Sequence, residues 1–217
     1  MNAHVRHSVA ALLDSLDPDE AAANSFGDFH VPGLDYLCLF RSPRYTAKVY
    51  FVEPGTAHNA EGNLVNPHSH GYAFRQTVLE GALEHVRLER DSVYGQDWRV
   101  GDYRSPLATG ETEARLDWRP EAEPWLGMSE FYEPGTGYFL TPDEVHTIRV
   151  PRGAVLFTEQ YADAGLDSTL FLSREPVTPD LSGLYRPLSV GRVCELMRWL
   201  REIVSADHVT PAAEVQS

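Results

Sequence analysis

The sequence predicts a mainly β protein of one domain, in which short antiparallel strands form a sandwich or barrel and helices lie near both ends. Three observations support this fold class. Runs of β-branched and aromatic residues recur at close intervals through the middle of the chain, separated by turns that contain Gly or Pro. Near the two ends, apolar residues recur instead at steps of three and four. The composition, 42% hydrophobic and 23% charged over 217 residues, provides a substantial core without crosslinks.

The two ends carry the helical patterns. Near the start, four apolar residues have the spacing of an amphipathic helix: Val5, Val9, Leu12 and Leu13. We therefore expect a helical segment over about residues 1–34. A second amphipathic pattern predicts a helix over about residues 189–205. The barrel is assigned to about residues 35–175, and no repeat divides the chain, so residues 1–217 are interpreted as a single β domain.

The strands between the helical patterns are predicted in chain order. Residues 46–52 form the clearest strand and end at a Pro-Gly turn. The next two strands surround Glu80-Gly81 and have the pattern of a β-hairpin. Residues 91–126 are polar and indicate a long excursion with one further hairpin; whether this excursion forms a lid is left open. Four more strand segments follow, at about residues 128–132, 138–140, 147–150 and 154–161.

The composition also excludes several classes of function. The net charge is −14 and no cluster of Lys or Arg occurs, which argues against nucleic-acid binding. Lys48 is the only lysine, a bias that we attribute to genomic composition rather than to function. The two cysteines, Cys38 and Cys194, make no disulfide framework. Neither a signal-peptide pattern nor an apolar run of the ~18–20 residues needed for a membrane span is present, so we expect a cytoplasmic protein without membrane contact.

Three of the nine histidines have a context that indicates chemistry. His68 and His70 are separated by one residue, and on a strand residues i and i+2 point to the same side. Both imidazoles can therefore reach a single ion, and imidazole suits divalent transition metals. His146 opens a later strand after a proline turn, where a third ligand can come from a neighbouring strand. The other histidines, among them His30 and His85, are interpreted as surface or core residues.

These motifs resemble those of the cupin superfamily. Its first motif has the form H-x-H, then an acidic residue after a short gap and a glycine at a hairpin, matched here by His68, His70 and Gly81. Its second motif ends in a proline turn and a histidine, matched by the Pro-Asp-Glu-Val-His run that ends at His146. The resemblance covers about residues 46–161. It implies a small antiparallel β-barrel, or jelly roll, with a metal ion in its mouth.

Two departures from the family pattern bear on the ligand set. Val150 stands where the second motif carries an asparagine. Phe74 stands at or beside the position of the usual glutamate ligand, and its neighbours Arg75 and Gln76 cannot replace an anionic ligand. The implied set is therefore three neutral histidines, similar to the sites of thiol dioxygenases and related iron enzymes. Without a carboxylate, the ion keeps its full charge and open positions for an anionic substrate and O2.

Four further residues are candidates for the substrate pocket. If Phe74 faces the barrel, alternation places Gln76 inward, where it can hydrogen-bond a ligand histidine or a substrate. Arg75 then points outward unless the strand bulges; it is retained as a carboxylate anchor because guanidinium binds carboxylates in a bidentate manner. Tyr50, on an earlier strand, and Glu159, on a later one, are also candidate pocket residues. An ordinary structural role is an open alternative for each of the four.

Three functions remain open at this point. The first, which the resemblance implies, is a non-haem Fe(II) dioxygenase that uses O2 and a small polar substrate, either amino-acid-like or a thiol. The second is a metal-dependent isomerase, lyase or hydrolase, in which Glu159 or Tyr138 moves a proton. The third is a small-ligand-binding cupin without activity. Iron is the expected cofactor, with manganese, nickel, zinc or copper as alternatives, and pairing of two copies as a homodimer is left open.

Overall fold

The computed structural model describes residues 3–104, 115–163, 165–166, 168–175 and 186–206. Within these ranges, the elements follow in the order α1 (Ala3–Asp14), α2 (Pro18–Ala23), β1 (Phe26–Gly27), β2 (Leu34–Ser42), β3 (Tyr45–Val52), β4 (Tyr72–Glu80), β5 (Leu83–Arg90), β6 (Gln96–Arg104), β7 (Arg115–Tyr132), β8 (Gly137–Leu140), β9 (Val145–Arg149), β10 (Ala154–Asp163), β11 (Thr169–Ser173), β12 (Arg186–Pro187) and α3 (Val190–Ser205). The chain is therefore mainly β, with helices near both ends.

The described strands form two antiparallel sheets. The larger sheet has the order β12-β1-β2-β3-β10-β4-β8, and the smaller has the order β11-β6-β7-β5-β9. Strands that are distant in the chain are neighbours, since β10 lies between β3 and β4. This arrangement is a cupin-type antiparallel barrel, or jelly roll, as the sequence predicts. Among the described residues, no helix is both long and apolar enough to cross a bilayer.

Two local predictions need correction or completion. The turn at Gly81 does not close a hairpin, because β4 pairs with β10 and β8 whereas β5 pairs with β7 and β9. The chain instead crosses from one sheet to the other there, with Gly81 at a φ of 81° and no room for a Cβ beside the Gly153 carbonyl. The excursion over residues 91–126 contains β6 and much of β7, which pair with each other. Residues 105–114, between these strands, lie outside the described ranges.

A short irregular segment joins the two edge strands of the smaller sheet. Residues 64–69 run between β9 and β11 and bond to both. The Leu64 N–H donates to the Ile148 carbonyl at 2.8 Å, and the Ser69 N–H donates to the Leu170 carbonyl at 2.9 Å. The segment therefore closes the smaller sheet into a ring of neighbours, and it is held in place on both sides by backbone hydrogen bonds.

Two apolar cores lie on opposite faces of the larger sheet. The outer core lies between the sheet and the three helices, where Val49 and Phe157 pack with Leu200 of α3. The inner core lies between the two sheets and includes Val78 and Leu156. Because successive strand residues point to opposite faces, Leu156 and Phe157 enter different cores. Burial on both faces holds β3, β4 and β10 rigidly, and these strands form one wall of the candidate site.

Candidate metal centre

The three predicted ligand histidines lie together inside the barrel. His68 and His70 lie on the segment between β3 and β4, and His146 lies on β9. Two backbone hydrogen bonds join the segment to the strand: the His68 N–H donates to the His146 carbonyl at 2.9 Å, and the His146 N–H donates to the His68 carbonyl at 3.0 Å. The first and third histidines are thus opposite each other in an antiparallel bridge.

The spacing of the imidazole nitrogens suits a single ion. One ring nitrogen of each of the three histidines lies within 4.8 Å of the corresponding atoms of the other two. The Nε2 atoms of His70 and His146 are 2.9 Å apart. Two nitrogens that bind one ion at about 2.0–2.1 Å stand about 2.9 Å apart when the angle between the bonds is a right angle. This pair therefore already has the separation of neighbouring ligands in an octahedral shell.

Hydrogen bonds to the outer nitrogens orient two of the rings. The His68 Nδ1 lies 2.8 Å from the Asn66 carbonyl oxygen, so Nδ1–H donates to it and Nε2 is left for an ion. The His146 Nδ1 lies 3.2 Å from Nε2 of His85, which is fully buried on β5. A metal ligand usually donates its second ring N–H to a fixed acceptor. His85 fills this position for His146.

His85 itself is held by stacking. Its ring lies on the ring of Tyr138 with 3.8 Å between centroids and an angle of 10° between planes. If His146 binds an ion through Nε2, its Nδ1–H donates to the Nε2 of His85, and the proton of His85 must then be on Nδ1. That atom is buried and has no hydrogen-bond partner among the described residues. Stacking on Tyr138 therefore holds the His85 ring in place, although no hydrogen bond to a described residue holds its Nδ1.

The electrostatics of the cluster favour uncharged rings. Burial lowers the pKa of His68, of His70 and of His146, and the mutual repulsion of their cationic forms lowers the last two further. Burial also lowers the pKa of His85 to about 4. Neutral imidazole is the form that coordinates a transition metal. The donor set thus fits a divalent ion with nitrogen preference.

Phe74 occupies the wall where a carboxylate ligand is expected. Its ring lies 4.9 Å from the His70 ring and 5.5 Å from the His146 ring, measured between centroids. Within the described part of the chain, the cluster that could hold a metal consists of the three histidines and contains no Asp or Glu. The site therefore offers three neutral nitrogen donors, beside an aromatic ring that excludes water.

Two of the four candidate pocket residues face the barrel interior. Gln76 is buried and accepts a hydrogen bond from the Tyr138 hydroxyl at 2.5 Å, and its Nε2 donates to Thr158 at 3.2 Å. Gln76 thus bonds to its neighbours in the sheet and not to a ligand histidine. Tyr50 lies on the same interior face of β3 and pairs across the sheet with Leu156 of the inner core.

The other two candidates lie outside the barrel, which corrects the expectation that Glu159 lines the pocket and that Arg75 anchors a carboxylate there. The two residues are partners in the register of β4 and β10, and antiparallel partners point to the same face. Arg75 is exposed. Glu159 accepts a hydrogen bond from the Tyr45 hydroxyl at 3.1 Å, on the face of the sheet that the helices partly cover. Strand alternation sends both away from the histidines.

Sequence reasoning missed two residues near the cluster. The sequence predicts only a surface or core role for His85, because its partner His146 is distant in the chain. Only the pairing of β5 with β9 brings the two together. Lys48, attributed to genomic bias, is buried inside the barrel with an exposed fraction of 4%. A signal for Lys48 does exist in the sequence, since the strand around it is apolar on both faces and so offers a charged residue no solvent.

The fold and the histidines together define a class: a cupin-type β-barrel with a candidate metal centre of three imidazoles. No family model matches the sequence, and no curated protein matches it. Its likeness to known proteins therefore lies in the fold.

Several solved structures share this fold at low sequence identity. Hydroxypropylphosphonic acid epoxidase from S. wedmorenis is 16% identical over 67% of this chain, with a TM-score of 0.41. An RmlC-like cupin from Shewanella frigidimarina is 14% identical, with 59% of this chain and 76% of that chain covered and a TM-score of 0.32. HEPD from Streptomyces albus, with 2-hydroxyethylphosphonate and Fe(II) bound, is 11% identical, with 63% of this chain and 23% of that chain covered and a TM-score of 0.36. This chain spans 58% of the length of the epoxidase.

Proposed function

We propose that this protein is a single-domain, metal-dependent oxygenase that holds one Fe(II) ion through His68, His70 and His146. Its partners in this proposal are O2 and a small polar metabolite with an amino-acid-like or thiol character. The bound iron would supply coordination sites at which O2 and substrate meet. The chain supplies the three imidazoles, their orientation and a wall that excludes water.

One observation carries the proposal: three neutral imidazoles converge on one point, and the described cluster contains no carboxylate. A divalent ion held in this way keeps its full positive charge. Such an ion favours an anionic or thiolate ligand over water, because the ligand neutralises a charge that the protein leaves uncompensated. The ring of Phe74 at the expected carboxylate position supports the same conclusion.

The surrounding side chains restrict what the ion could do. His85 orients His146, and Tyr138 orients His85 by stacking. The Tyr138 hydroxyl is committed to Gln76, and burial raises its pKa far above the usual value. Tyr138 is therefore a poor base, and Glu159 lies on the outer face of the sheet. An isomerase or lyase needs a group that moves a proton, and neither Tyr138 nor Glu159 is placed to do so.

Metal analysis and oxygen consumption test this function. The protein is purified under anaerobic conditions, its metal content is measured, and oxygen uptake is followed with a panel of amino acids and small thiols. We expect bound iron and substrate-dependent oxygen uptake. His146→Ala should remove both, whereas His7→Ala, on the exposed side of α1, should change neither. Turnover of a substrate in the absence of O2 would instead support the isomerase or lyase alternative, and a wild-type protein that binds no metal would overturn the proposal.

A graded test addresses His85. His85→Phe keeps an aromatic ring against Tyr138 but removes the acceptor for the His146 Nδ1–H. Loss of such a supporting partner typically weakens metal affinity by about 10–100-fold. Competition with a metal chelator measures this loss, and Tyr132→Phe serves as a matched control because its hydroxyl bonds to Glu130 and not to a histidine. An unchanged affinity in His85→Phe would show that the contact does not orient the ligand.

A further inference from the structure

Lys48, the only lysine of the chain, is placed inside the barrel. It lies on β3 opposite Cys38 of β2 and Thr158 of β10, and these three side chains share the interior face of the larger sheet. Gln76 continues the same row on β4. An unpaired lysine is among the residue types least often buried, since its ammonium group is costly to remove from water. Its position therefore calls for a physical explanation.

Three tyrosine rings surround the ammonium group. The Lys48 Nζ lies 5.3 Å from the ring centroid of Tyr36, 5.4 Å from that of Tyr50 and 5.2 Å from that of Tyr72. Each distance is within the range in which a cation is attracted to the face of an aromatic ring. The three rings form a cage, which we call the tyrosine cage. It offsets part of the cost of burying a positive charge while bringing no negative charge of its own.

The hydrogen bonds of the ammonium group are incomplete. Nζ donates to Oε1 of Gln160 at 2.9 Å and lies 3.5 Å from the Tyr72 hydroxyl. Both partners are neutral, and an ammonium group has three N–H donors. No described carboxylate forms an ion pair with Lys48, although the chain carries 32 acidic residues. One N–H donor thus has no partner among the described residues, and no described carboxylate balances the charge.

The local electrostatics show the same deficit. Burial and the positive charge of Arg41 lower the pKa of Lys48 to about 7. A buried charge in a folded protein is normally paired or bound to an ion. An anion that entered the cage would restore the ordinary pKa of the amine and would remove the cost of its burial.

The tyrosine cage adjoins the metal centre. The Tyr72 ring, which faces Lys48 on one side, lies 5.1 Å from the ring of His70. A single aromatic ring therefore separates the ammonium group from a predicted metal ligand. The ammonium group and the His70 ring therefore contact the same tyrosine.

We propose that Lys48 and its tyrosine cage bind the oxyanion group, a carboxylate or phosphonate, of the small molecule that the metal centre acts on. This inference rests on the proposed function, because it names the substrate class of that same centre. It replaces Arg75 as the anchor, since Arg75 lies on the opposite face of the sheet. Lys48 supplies charge and one hydrogen bond, and the three rings exclude water and fix the position of the amine.

The single lysine allows a direct test without metal or turnover. Protein labelled with carbon-13 at the lysine Cε has one such signal, from Lys48. We expect 3-mercaptopropionate to shift this signal in a saturable manner and propane-1-thiol, which lacks the carboxylate, to leave it unchanged. The same titration with methylphosphonate shows whether the cage binds a phosphonate as well as a carboxylate. A signal that responds to neither acid would overturn the inference, whether or not the protein holds iron.

A second arm uses Co(II)-loaded protein under anaerobic conditions and calorimetric titration with the same two thiols. We expect the wild type to bind the acid at least about tenfold more tightly than the neutral thiol, an electrostatic preference that a buried ion pair readily provides. Lys48→Met should remove this preference and Lys48→Arg should retain part of it, while Arg75→Gln should match the wild type. Failure of the wild type to bind metal would count against the proposed function alone. Persistence of the preference in Lys48→Met would count against the role of Lys48 alone.

Discussion

On β3, β4 and β10, side chains that point outward alternate with side chains that point inward, and the two sets differ in kind. Outward, Val49 and Phe157 are fully apolar contacts to the helices. Inward, one row across the strands is polar: Lys48, Thr158 and Gln76. The same three strands thus carry an ordinary hydrophobic core on the outer face, whereas their inner face combines an apolar core with a row of hydrogen bonds and buried charge.

The difference separates stability from chemistry. Apolar burial against the helices stabilises the sheet in proportion to the area removed from water. Buried polar groups add little net stability and cost much when a partner is missing. The outer face therefore stabilises the sheet, whereas the buried polar groups of the inner face, next to the histidines, reduce its stability. Variants on the two faces should separate accordingly, in stability and in metal affinity.

The largest loss of stability is expected from the outer face. Phe157 has an exposed fraction of 2% and packs in the helix-covered core. Phe157→Ala should lower the free energy of unfolding by about 3–5 kcal/mol, because it leaves a cavity in a well-packed core. Urea unfolding measures the change. Phe131→Ala, at a position with an exposed fraction of 75%, serves as the control and should cost at most about 0.5 kcal/mol.

The same variant sharpens the comparison if metal binding is measured in parallel. Phe157 lies on the face away from the histidines, so the folded Phe157→Ala protein should keep the metal affinity of the wild type. A fall in affinity at a temperature where the variant is fully folded would mean that the two faces are coupled.

The opposite sign is expected from Lys48 on the inner face. Its pKa is lowered from 10.5 to about 7, so the unfolded chain binds a proton more readily than the folded protein. Folding therefore releases that proton between about pH 7 and 10.5, and stability rises with pH across this window. Lys48→Met should raise the free energy of unfolding by roughly 4–5 kcal/mol at pH 7 and below, and this gain should shrink towards zero near pH 10.5.

Denaturant titrations of the wild type and Lys48→Met at several pH values check this prediction. The informative quantity is the difference between the two proteins, since groups that do not interact with Lys48 titrate equally in both. A gain in Lys48→Met that is constant with pH would indicate better packing and not the removal of a buried charge. A loss at neutral pH would mean that Lys48 is already paired in the folded protein.

Much of this fold could be predicted because its signals are local. The strand of residues 46–52, the helix near the C-terminus and the H-x-H pair each depend on neighbours in the sequence. If Phe74 faces the barrel, alternation on β4 places Gln76 inward as well. Local pattern is therefore enough to predict the strands, the helices and which side chains of β4 share a face with Phe74.

The remaining features depend on pairing between distant strands. His85 meets His146 only because β5 lies beside β9, and Glu159 faces outward because β10 pairs with β3 and β4 in one particular register. The turn at Gly81 has the sequence of a hairpin, yet the chain changes sheets there. The packing of the whole barrel decides which strands pair and in which register. A one-residue shift of register would send each side chain to the opposite face.

A moderate loss is expected from Gln76, which connects Tyr138 and Thr158. Gln76→Leu has similar volume but leaves the buried Tyr138 hydroxyl without its acceptor. The cost should be about 1–3 kcal/mol, the usual penalty for an unsatisfied buried polar group. Thermal or urea unfolding measures it, and the double variant Gln76→Leu with Tyr138→Phe should recover part of the loss. If the double variant were no more stable than the single one, the hydroxyl would not be the source of the cost.

The smallest effect is expected from Arg75, one residue away on the same strand. Arg75→Gln on the exposed outer face should change the free energy of unfolding by at most about 0.5 kcal/mol and should leave oxygen uptake unchanged. The contrast with Gln76→Leu tests the register of β4 directly, because a shift by one residue would exchange the environments of the two side chains. If Arg75→Gln abolished turnover while Gln76→Leu had little effect, Arg75 and not Gln76 would face the barrel interior.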